Sequence, residues 1–455
     1  MRIQLPEKVS KIINCLTEAG YEAYAVGGCV RDTLLGRTPG DWDITTSAKP
    51  AEVKALFGRT IDTGILHGTV TVMLGKEGFE VTTYRIDGEY EDARHPKNVV
   101  YTANLLEDLK RRDFTINAMA YNDAEGLIDV FDGIADLKKG VIRCVGDPMD
   151  RFGEDALRML RAVRFAAQLG FSIEEKTRGA IISLALNLSR ISAERIQTEL
   201  VKLLVSAHPE EMRTVYETGI SKVILPEFDA MMEEEQRNPH HCYTVGEHTI
   251  HAMCAIRPDK VLRLTMLFHD VAKPVCRTVD EKGIYHYHGH PAKGAQMAHA
   301  IFRRLKFDCD TMDRVCRLIT WHDDNPPLDE ASVRKAVHRA GIEQYPALFL
   351  VKRADILAKS KAGQKEKLAY VDAYERMYEE IRRRGDCLTL KELAVSGKDL
   401  IGAGIKPGKQ IGEILNALLA LVLEDPQKNT KEYLKDILLM KGALDIQKPF
   451  HQKYL

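Results

Sequence analysis

YAVGGCVRDTLLGRTPGDWDI, Tyr24 to Ile44, is the stretch whose reading decides the fold. A short apolar run breaks on Gly27 and Gly28, and a helical pattern opens directly after them. A strand that ends on glycines and runs into a helix lets backbone N–H groups approach a phosphate closely. Arg31 follows on that helix as a triphosphate contact. Asp41 and Asp43 stand two apart on the next strand, WDITTS, so alternation projects both carboxylates from one face. Adjacent carboxylates repel unless cations neutralise them, and the pair therefore reads as a divalent-metal site, with Mg²⁺ expected. Two such ions would activate a 3′-hydroxyl and stabilise departing pyrophosphate. A third carboxylate is expected on a neighbouring strand, and Glu80 in FEVTTYR is the candidate.

Outward from this stretch, residues 6 to 20 read as a helix ending at Gly20, and GTVTVML and GFEVTTYR as further strands bounded by glycine. From about residue 151 strand signals vanish and apolar residues recur at helical spacing. At 455 residues the chain is too long for a single core. Its 45% hydrophobic and 29% charged residues are ordinary for a globular protein, and the net charge of −1 means that any nucleic-acid surface is a local basic face. Nine scattered cysteines without a C-x-x-C pair argue against a disulfide framework or a structural zinc cluster. No run approaches the roughly 18 apolar residues that span a bilayer, and the amphipathic N-terminus does not resemble a signal peptide. A cytoplasmic protein without membrane partners is expected, and no protein partner is implied.

A D-x-D or a GG alone is a weak signal. The ordered set is far more specific, and it resembles the class II nucleotidyltransferases, the family of bacterial CCA-adding enzymes and poly(A) polymerases. The resemblance continues in order through RRDFTINAMAY (Arg111 to Tyr121), DVFDGIADLKKGVIR (Asp129 to Arg143), GEDALRMLRAVRFA (Gly153 to Ala166) and ISAERIQTEL (Ile191 to Leu200). It implies an α+β chain: a nucleotidyltransferase head with a β-sheet over residues 1–150, then an all-α neck over 151–238. It also implies that Gly28, Arg31 and Arg112 belong to the nucleotide site, and that Asp155 and Arg158 read the incoming base so that protein replaces a template. Asp155 and Arg158 are three apart and would share a helix face. A carboxylate acceptor beside a guanidinium fork can offer cytosine and adenine different patterns. Arg161 and Arg164 continue at three-residue steps, drifting round the helix towards phosphates or structural carboxylates.

The family's flexible loop allows the switch from C to A, and this chain keeps Asp92, Arg94 and Pro96 in EYEDARHPKNVVY. That leans towards complete CCA addition to tRNA from CTP and ATP. CC-only or A-only addition and poly(A) synthesis stay open.

Ten of the fifteen histidines fall between His240 and His322. LTMLFHDVAKP carries the adjacent pair His269 and Asp270, VGEHTIHAM carries His248 upstream, and RADILA carries Asp355 downstream. Adjacent His and Asp can grip one metal that flanking ligands complete. The order resembles the HD phosphohydrolase superfamily, and His290 and His322 fall where its members add second-metal ligands. The resemblance implies an HD-type helical body over 239–385 with a divalent metal of open identity, followed by a helical tail over 386–455 that contacts tRNA. A rival reading makes the chain chiefly a phosphohydrolase with a regulatory nucleotide-binding head.

Overall fold

The computed structural model describes residues 2–87, 99–237, 243–361 and 363–442. The loop residues Asp92, Arg94 and Pro96 lie outside the described residues. The chain divides into two compact units, one built on Met1–Glu233 with Pro258–Lys260 and Ile301–Phe307, the other on Glu234–Arg257, Val261–Ala300 and Asp308–Leu455.

The first unit opens with helix α1 (Glu7–Glu18), whose Val9, Ile12, Ile13 and Leu16 are buried at helical spacing. Strand β1 (Ala23–Val26) is buried along its whole length. It runs into helix α2 (Gly28–Leu34), strand β2 (Ile44–Thr46) and helix α3 (Pro50–Leu56). Strands β3 (Thr60–Gly64), β4 (Thr69–Leu74) and β5 (Glu77–Thr83) follow, then a short ladder of β6 (Arg85–Asp87) and β7 (Val99–Tyr101), helix α4 (Leu105–Lys110), and strands β8 (Met119–Asn122) and β9 (Gly126–Asp129). Seven of these strands form one sheet in the order β3-β4-β5-β2-β1-β8-β9. The pairing is antiparallel except between β2 and β5, where Ile44 sits beside Val81. Tyr24, Val26, Tyr84, Leu109 and Ala120 build a core cluster completed by Leu105, Ile128 and Phe131.

Helices α5 (Gly133–Lys139), α6 (Pro148–Glu154), α7 (Leu157–Leu169), α8 (Glu175–Leu184) and α9 (Ala193–Leu204) come next, then α10 (Met212–Glu217), α11 (Ile220–Ile224) and α12 (Pro226–Glu233). The strand signal does not vanish completely beyond residue 151. Ser172–Ile173 adds a two-residue parallel ladder to Val141–Ile142, too short to show as a periodic pattern.

The remaining helices are α13 (Val245–Cys254), α14 (Lys260–Phe268), α15 (Lys273–Cys276), α16 (His290–Arg304), α17 (Cys309–Trp321), α18 (Glu330–Ala340), α19 (Tyr345–Leu357), α20 (Gln364–Arg384), α21 (Gly397–Gly402), α22 (Lys409–Glu424) and α23 (Lys431–Gly442), all in the second unit apart from Lys260 and the end of α16 from Ile301. A small hairpin pairs Thr278–Val279 with Tyr285–His286. Helix α20 stops where Gly385 takes a left-handed φ of 72°, a conformation only glycine adopts without strain. No helix among the described residues is long and apolar enough to cross a membrane.

Candidate functional site

The glycine turn is built as its sequence suggests, with the emphasis shifted by one residue. Gly27, not Gly28, takes the positive φ, at 81°. A Cβ on Gly27 would lie 3.0 Å from Arg112 Nη1 and 3.7 Å from the Asn117 carbonyl. A Cβ on Gly28 would meet only Arg31 Nη2, at an ordinary 3.7 Å. The Gly27 N–H donates to the Met119 carbonyl, which fixes the turn against β8.

Asp41 and Asp43 do not lie on a regular strand. Both precede β2, and only Asp43 extends the ladder, its carbonyl accepting from the Val26 N–H at 3.0 Å. Asp41 is exposed on the irregular stretch before it. Tertiary pairing sets where the strand begins, which β-branched composition alone does not. One step back along the parallel register, which sets Ile44 beside Val81, brings Asp43 next to Glu80. Burial first, then repulsion from Asp41, pushes the Asp43 carboxyl up to about 6; Arg112 pulls the other way and Glu80 adds to the rise. A carboxylate half-withdrawn from water beside two others carries uncompensated negative charge, the donor chemistry that suits a divalent cation.

Near this trio, an open cleft is lined by Arg111, Arg112, Asp113, Asp155, Leu157, Arg158, Arg161 and Arg195. It collects four of the expected nucleotide residues, Arg112, Asp155, Arg158 and Arg161. Asp155 and Arg158 do not share a helix face. Asp155 sits at the break between α6 and α7 in extended conformation, with φ −137°. Its Oδ1 accepts from the Leu157 N–H at 3.0 Å and its Oδ2 from Arg195 at 2.7 Å. Arg158 donates instead to Glu154 at 2.7 Å and to the Arg111 carbonyl at 2.9 Å. An Asx-type cap interrupts the helix there, a break that three-residue spacing cannot reveal.

Arg161 donates to Asp113 through both Nε and Nη2, at 2.9 and 2.6 Å. Burial works against ionising Asp113, yet Arg161 and Asn117 hold its carboxyl well below the usual range. Arg164 is not among the residues that line the cleft. Its Nε donates to buried Glu199 at 2.8 Å, and its guanidinium lies 3.5 Å from the Phe165 ring centroid. Both arginines meet a structural carboxylate, one of the two destinations expected for them. Arg31 is buried under the glycine turn and donates to Asn117 Oδ1 at 2.6 Å and to Asp32 at 2.9 Å. The sequence reading missed Arg111, Asp113 and Arg195. Arg195 lies inside the quoted ISAERIQTEL, and only its reach to Asp155, forty residues away in sequence, sets it apart.

With this geometry in place, the comparisons with known proteins are specific. The Poly A polymerase head domain model matches residues 23–143, the model for an RNA and SrmB binding site of polymerase A matches 170–232, and a tRNA nucleotidyltransferase domain 2 model matches 292–438. The CCA-adding enzyme of Lactobacillus helveticus is 37% identical over 436 residues, covering 94% of this chain and 97% of that protein. The chain belongs to the CCA-adding enzymes. The CCA-adding enzyme of Limosilactobacillus fermentum is 36% identical over 94% of this chain and 95% of its own length. The crystal structure of Bacillus stearothermophilus CCA-adding enzyme in complex with CTP is similar at TM-score 0.74 and 30% identity, covering 97% of this chain and 98% of that one. The Thermotoga maritima CCA-adding enzyme complexed with tRNA shares the fold at TM-score 0.58 and 22% identity, over 97% of this chain and all of that one.

In this member of the family, the histidines expected to bind metal converge in the second unit. His248 projects from α13, His269 and Asp270 follow α14, His290 opens α16, His322 ends α17 and Asp355 lies on α19. His248 Nε2 lies 3.0 Å from Asp355 Oδ1 and 3.5 Å from Asp270 Oδ2, and His269 Nε2 is 3.2 Å from the same Asp270 oxygen. On the other side, Asp270 Oδ1 lies 3.3 Å from His290 Nε2 and 3.8 Å from His322 Nε2. The ligand atoms fall into two groups, His248–His269–Asp270 and Asp270–His290–His322, with Asp270 common to both.

The Nδ1 atoms of all four rings face backbone carbonyls, those of Ala358, Met266, Tyr287 and Ile319. A ring that donates from Nδ1 presents Nε2 as a lone pair, and this is the outer-shell arrangement that orients metal-binding imidazoles. The Nε2 atoms of His248 and His269 face each other at 3.2 Å and those of His290 and His322 at 3.4 Å. The donor set therefore fits divalent metal, and Asp270 is the residue that would serve both groups. Burial drives the His322 ring down to about 3, and its neighbour His269 adds to the effect. At His269 burial is outweighed by Asp270 and Asp355, which lift it to about 9 and favour a proton on Nε2 that a bound cation would displace. Two lysines stand against these carboxylates: Lys273 lies 2.7 Å from Asp270 Oδ2, the oxygen that also faces His248 and His269, and Lys359 lies 2.6 Å from Asp355 Oδ2, the oxygen turned away from them. Both stand three or four residues after the aspartate they pair with, a spacing that could have flagged them.

Proposed function

We propose that this chain adds CCA to the 3′ end of tRNA from CTP and ATP in the cytoplasm. The observation that carries the reading is the cleft in which Asp155 and Arg158 stand among four further arginines, Arg111, Arg112, Arg161 and Arg195. A triphosphate needs concentrated positive charge, and a base read without a template needs a fixed acceptor and a fixed donor fork. Asp41, Asp43 and Glu80 would hold Mg²⁺, which supplies charge neutralisation for the attacking 3′-hydroxyl and the departing pyrophosphate. Gly27 and Gly28 bring backbone towards the phosphates, Arg31 and Arg112 bind them, and Asp155 and Arg158 present the pattern that the base edge must match. Purified protein given tRNA lacking its last three nucleotides, with CTP, ATP and Mg²⁺, is expected to yield a CCA end on sequencing. A product with no added nucleotides would sink the reading. A CC-only, A-only or poly(A) product would narrow it to that specialist.

The histidine cluster supports a second activity in the same chain. His248, His269, Asp270 and Asp355 would hold one divalent metal and Asp270, His290 and His322 a second, in the manner of an HD-type phosphohydrolase. Water activated there would cleave a P–O bond of a terminal phosphate or cyclic phosphate on a damaged tRNA 3′ end. Phosphate release from RNA ending in a 3′-phosphate or a 2′,3′-cyclic phosphate, assayed with Mg²⁺, Mn²⁺, Ni²⁺ and Fe²⁺ separately, tests this. His269→Ala should end that release and spare CCA addition; loss of both activities would count against two independent sites.

A further inference from the structure

Asn117 has no role in the readings above, although both ends of its side chain are committed. It is buried at 6% exposure, in the tight turn Thr115–Asn117. Its Oδ1 accepts from Arg31 Nη1 at 2.6 Å, and its Nδ2 donates to Asp113 Oδ1 at 3.1 Å. Asp113 Oδ2 in turn accepts from Arg161 Nε and Nη2, at 2.9 and 2.6 Å. A continuous chain of hydrogen bonds therefore runs from Arg161, in the wall of the cleft, through Asp113 and Asn117 to Arg31, beneath the glycine turn. The backbone follows the same route, since the Asn117 carbonyl lies where a Cβ on Gly27 would be 3.7 Å away.

A second connection lies alongside the first. The guanidinium of Arg31 is 5.0 Å and that of Arg161 5.4 Å from the centroid of one ring, Phe165. Phe165 is buried and is braced edge-on by Phe114, 5.8 Å away. Both arginines are thus referenced to a common ring as well as to a common hydrogen-bond chain.

We propose that Asn117 is a positioning residue that couples the two ends of the nucleotide site. The inference rests on the nucleotide-site reading of the cleft and the glycine turn. Only one orientation of the amide satisfies both neighbours, because Arg31 can only donate and the ionised Asp113 can only accept. The carboxylate polarises the amide, so that Asn117 Oδ1 turns a stronger acceptor towards Arg31. Movement of Arg161 on meeting a nucleotide is passed to Asp113, from Asp113 to Asn117, and from Asn117 to Arg31. The neutral amide suits this task. A carboxylate in its place would repel Asp113, and an alkyl group would leave a buried guanidinium donor and a buried carboxylate oxygen each short of a partner.

A double-mutant cycle tests the coupling directly. Arg31→Lys and Arg161→Lys are made singly and together, in the native chain and in Asn117→Ala, and each protein is read by kcat/KM for CTP addition and by equilibrium binding of Mg·CTP. The two lysine substitutions are expected to be non-additive by about 5-fold when Asn117 is present and additive to within about 1.5-fold when it is absent, within the range seen for residues sharing a network. Additivity in the native chain, or the same non-additivity in both backgrounds, overturns the proposal. A structural role alone would lower the melting temperature of the Asn117 variant and leave the cycle unchanged. If Asn117→Ala does not fold, Asn117→Asp takes its place, keeping an acceptor for Arg31 and opposing Asp113, with the same expectation for the cycle. A native protein that adds CTP but shows an additive cycle defeats only the coupling. One that neither binds nor adds CTP defeats the nucleotide-site reading and the coupling with it.

Discussion

Arg195 donates to Asp155 Oδ2 at 2.7 Å while the Leu157 N–H takes Asp155 Oδ1 at 3.0 Å, so the carboxylate is held at both oxygens. Oδ1 takes a second, longer contact from Arg195 Nη1 at 3.4 Å, and Oδ2 keeps a further lone pair for a base amino group. The carboxylate plane is thereby set before any nucleotide arrives, and a preset acceptor costs less to use than one that must be ordered on binding.

Arg195→Ala should therefore relax nucleotide choice more than it weakens the fold. With 27% and 17% side-chain exposure the pair is not deeply buried. Its contribution to stability should be about 1 kcal/mol or less after screening. The expected result is a roughly 10-fold loss of discrimination against the wrong nucleotide, the size of effect that about 1.4 kcal/mol produces. Misincorporation is counted by sequencing products made with single and mixed nucleotides. Unchanged fidelity would leave the Leu157 N–H as the sole orienting contact.

Asp43→Asn should trade activity for stability. With its carboxyl near 6, above the ordinary carboxylate value, Asp43 binds its proton more tightly in the folded chain than in the unfolded one. That contribution is fully present below about pH 4 and is lost as pH rises through about 6. In metal-free protein at pH 7.5 the asparagine should thus be the more stable residue, by about 1–2 kcal/mol. Nucleotide addition should fall at least ~1000-fold with a metal ligand gone. In the native chain, the rise in Tm on adding Mg²⁺ should be larger at pH 7.5 than at pH 5, where Asp43 is protonated. Equal rises at both values would remove Asp43 from the metal site.

The elements nearest the chemistry were legible in the sequence because they repeat simple patterns. Glycines after an apolar strand, alternating threonines and valines in β4, and a histidine–aspartate pair closing an apolar helix each imply one local structure. What remained hidden depends on contacts distant in sequence. Asp155 looks helical until its side chain is seen capping the next helix, and Arg161 and Arg164 look alike until Asp113 takes two hydrogen bonds from Arg161 and Glu199 one from Arg164. The start of β2 is set by the Val26 N–H, which leaves Asp41 outside the ladder. Asn117 sits within RRDFTINAMAY, but nothing in its spacing marks it as the contact between Asp113 and Arg31.

The shared position of Asp270 predicts a stoichiometry. Its two oxygens belong to different ligand groups, whereas His290 serves only one. Protein loaded with Mn²⁺ and passed through a desalting column is expected to hold two ions per chain in the helical body, counted by elemental analysis with Mg²⁺ present to occupy the head. Asp270→Ala should lose both and His290→Ala one, while CCA addition survives in each. Outer-shell changes such as Lys359→Met should weaken retention by about 10- to 100-fold without changing the count. Equal losses from Asp270→Ala and His290→Ala would argue against a bridging carboxylate.

The two glycines of the turn should answer differently to the same substitution. Gly27→Ala places a side chain at φ 81°, where L residues are strained, and sets its Cβ 3.0 Å from Arg112 Nη1. The backbone term alone costs about 1–3 kcal/mol. The Arg112 side chain must also shift, and it lies among the nucleotide-cleft residues beside Asp108, 3.4 Å away. KM for CTP and for ATP should both rise, because displacing Arg112 affects a contact common to the two nucleotides. Gly28→Ala meets only Arg31 Nη2 at 3.7 Å and carries no positive φ, so its cost should stay within about 0.5 kcal/mol, the range of an unstrained surface change. Thermal melts separate the two on stability, and KM values separate them on function. If Gly28→Ala proves the more damaging, the backbone N–H of residue 28 is meeting phosphate more closely than a methyl group allows, and the glycine requirement there comes from the ligand and not from the turn.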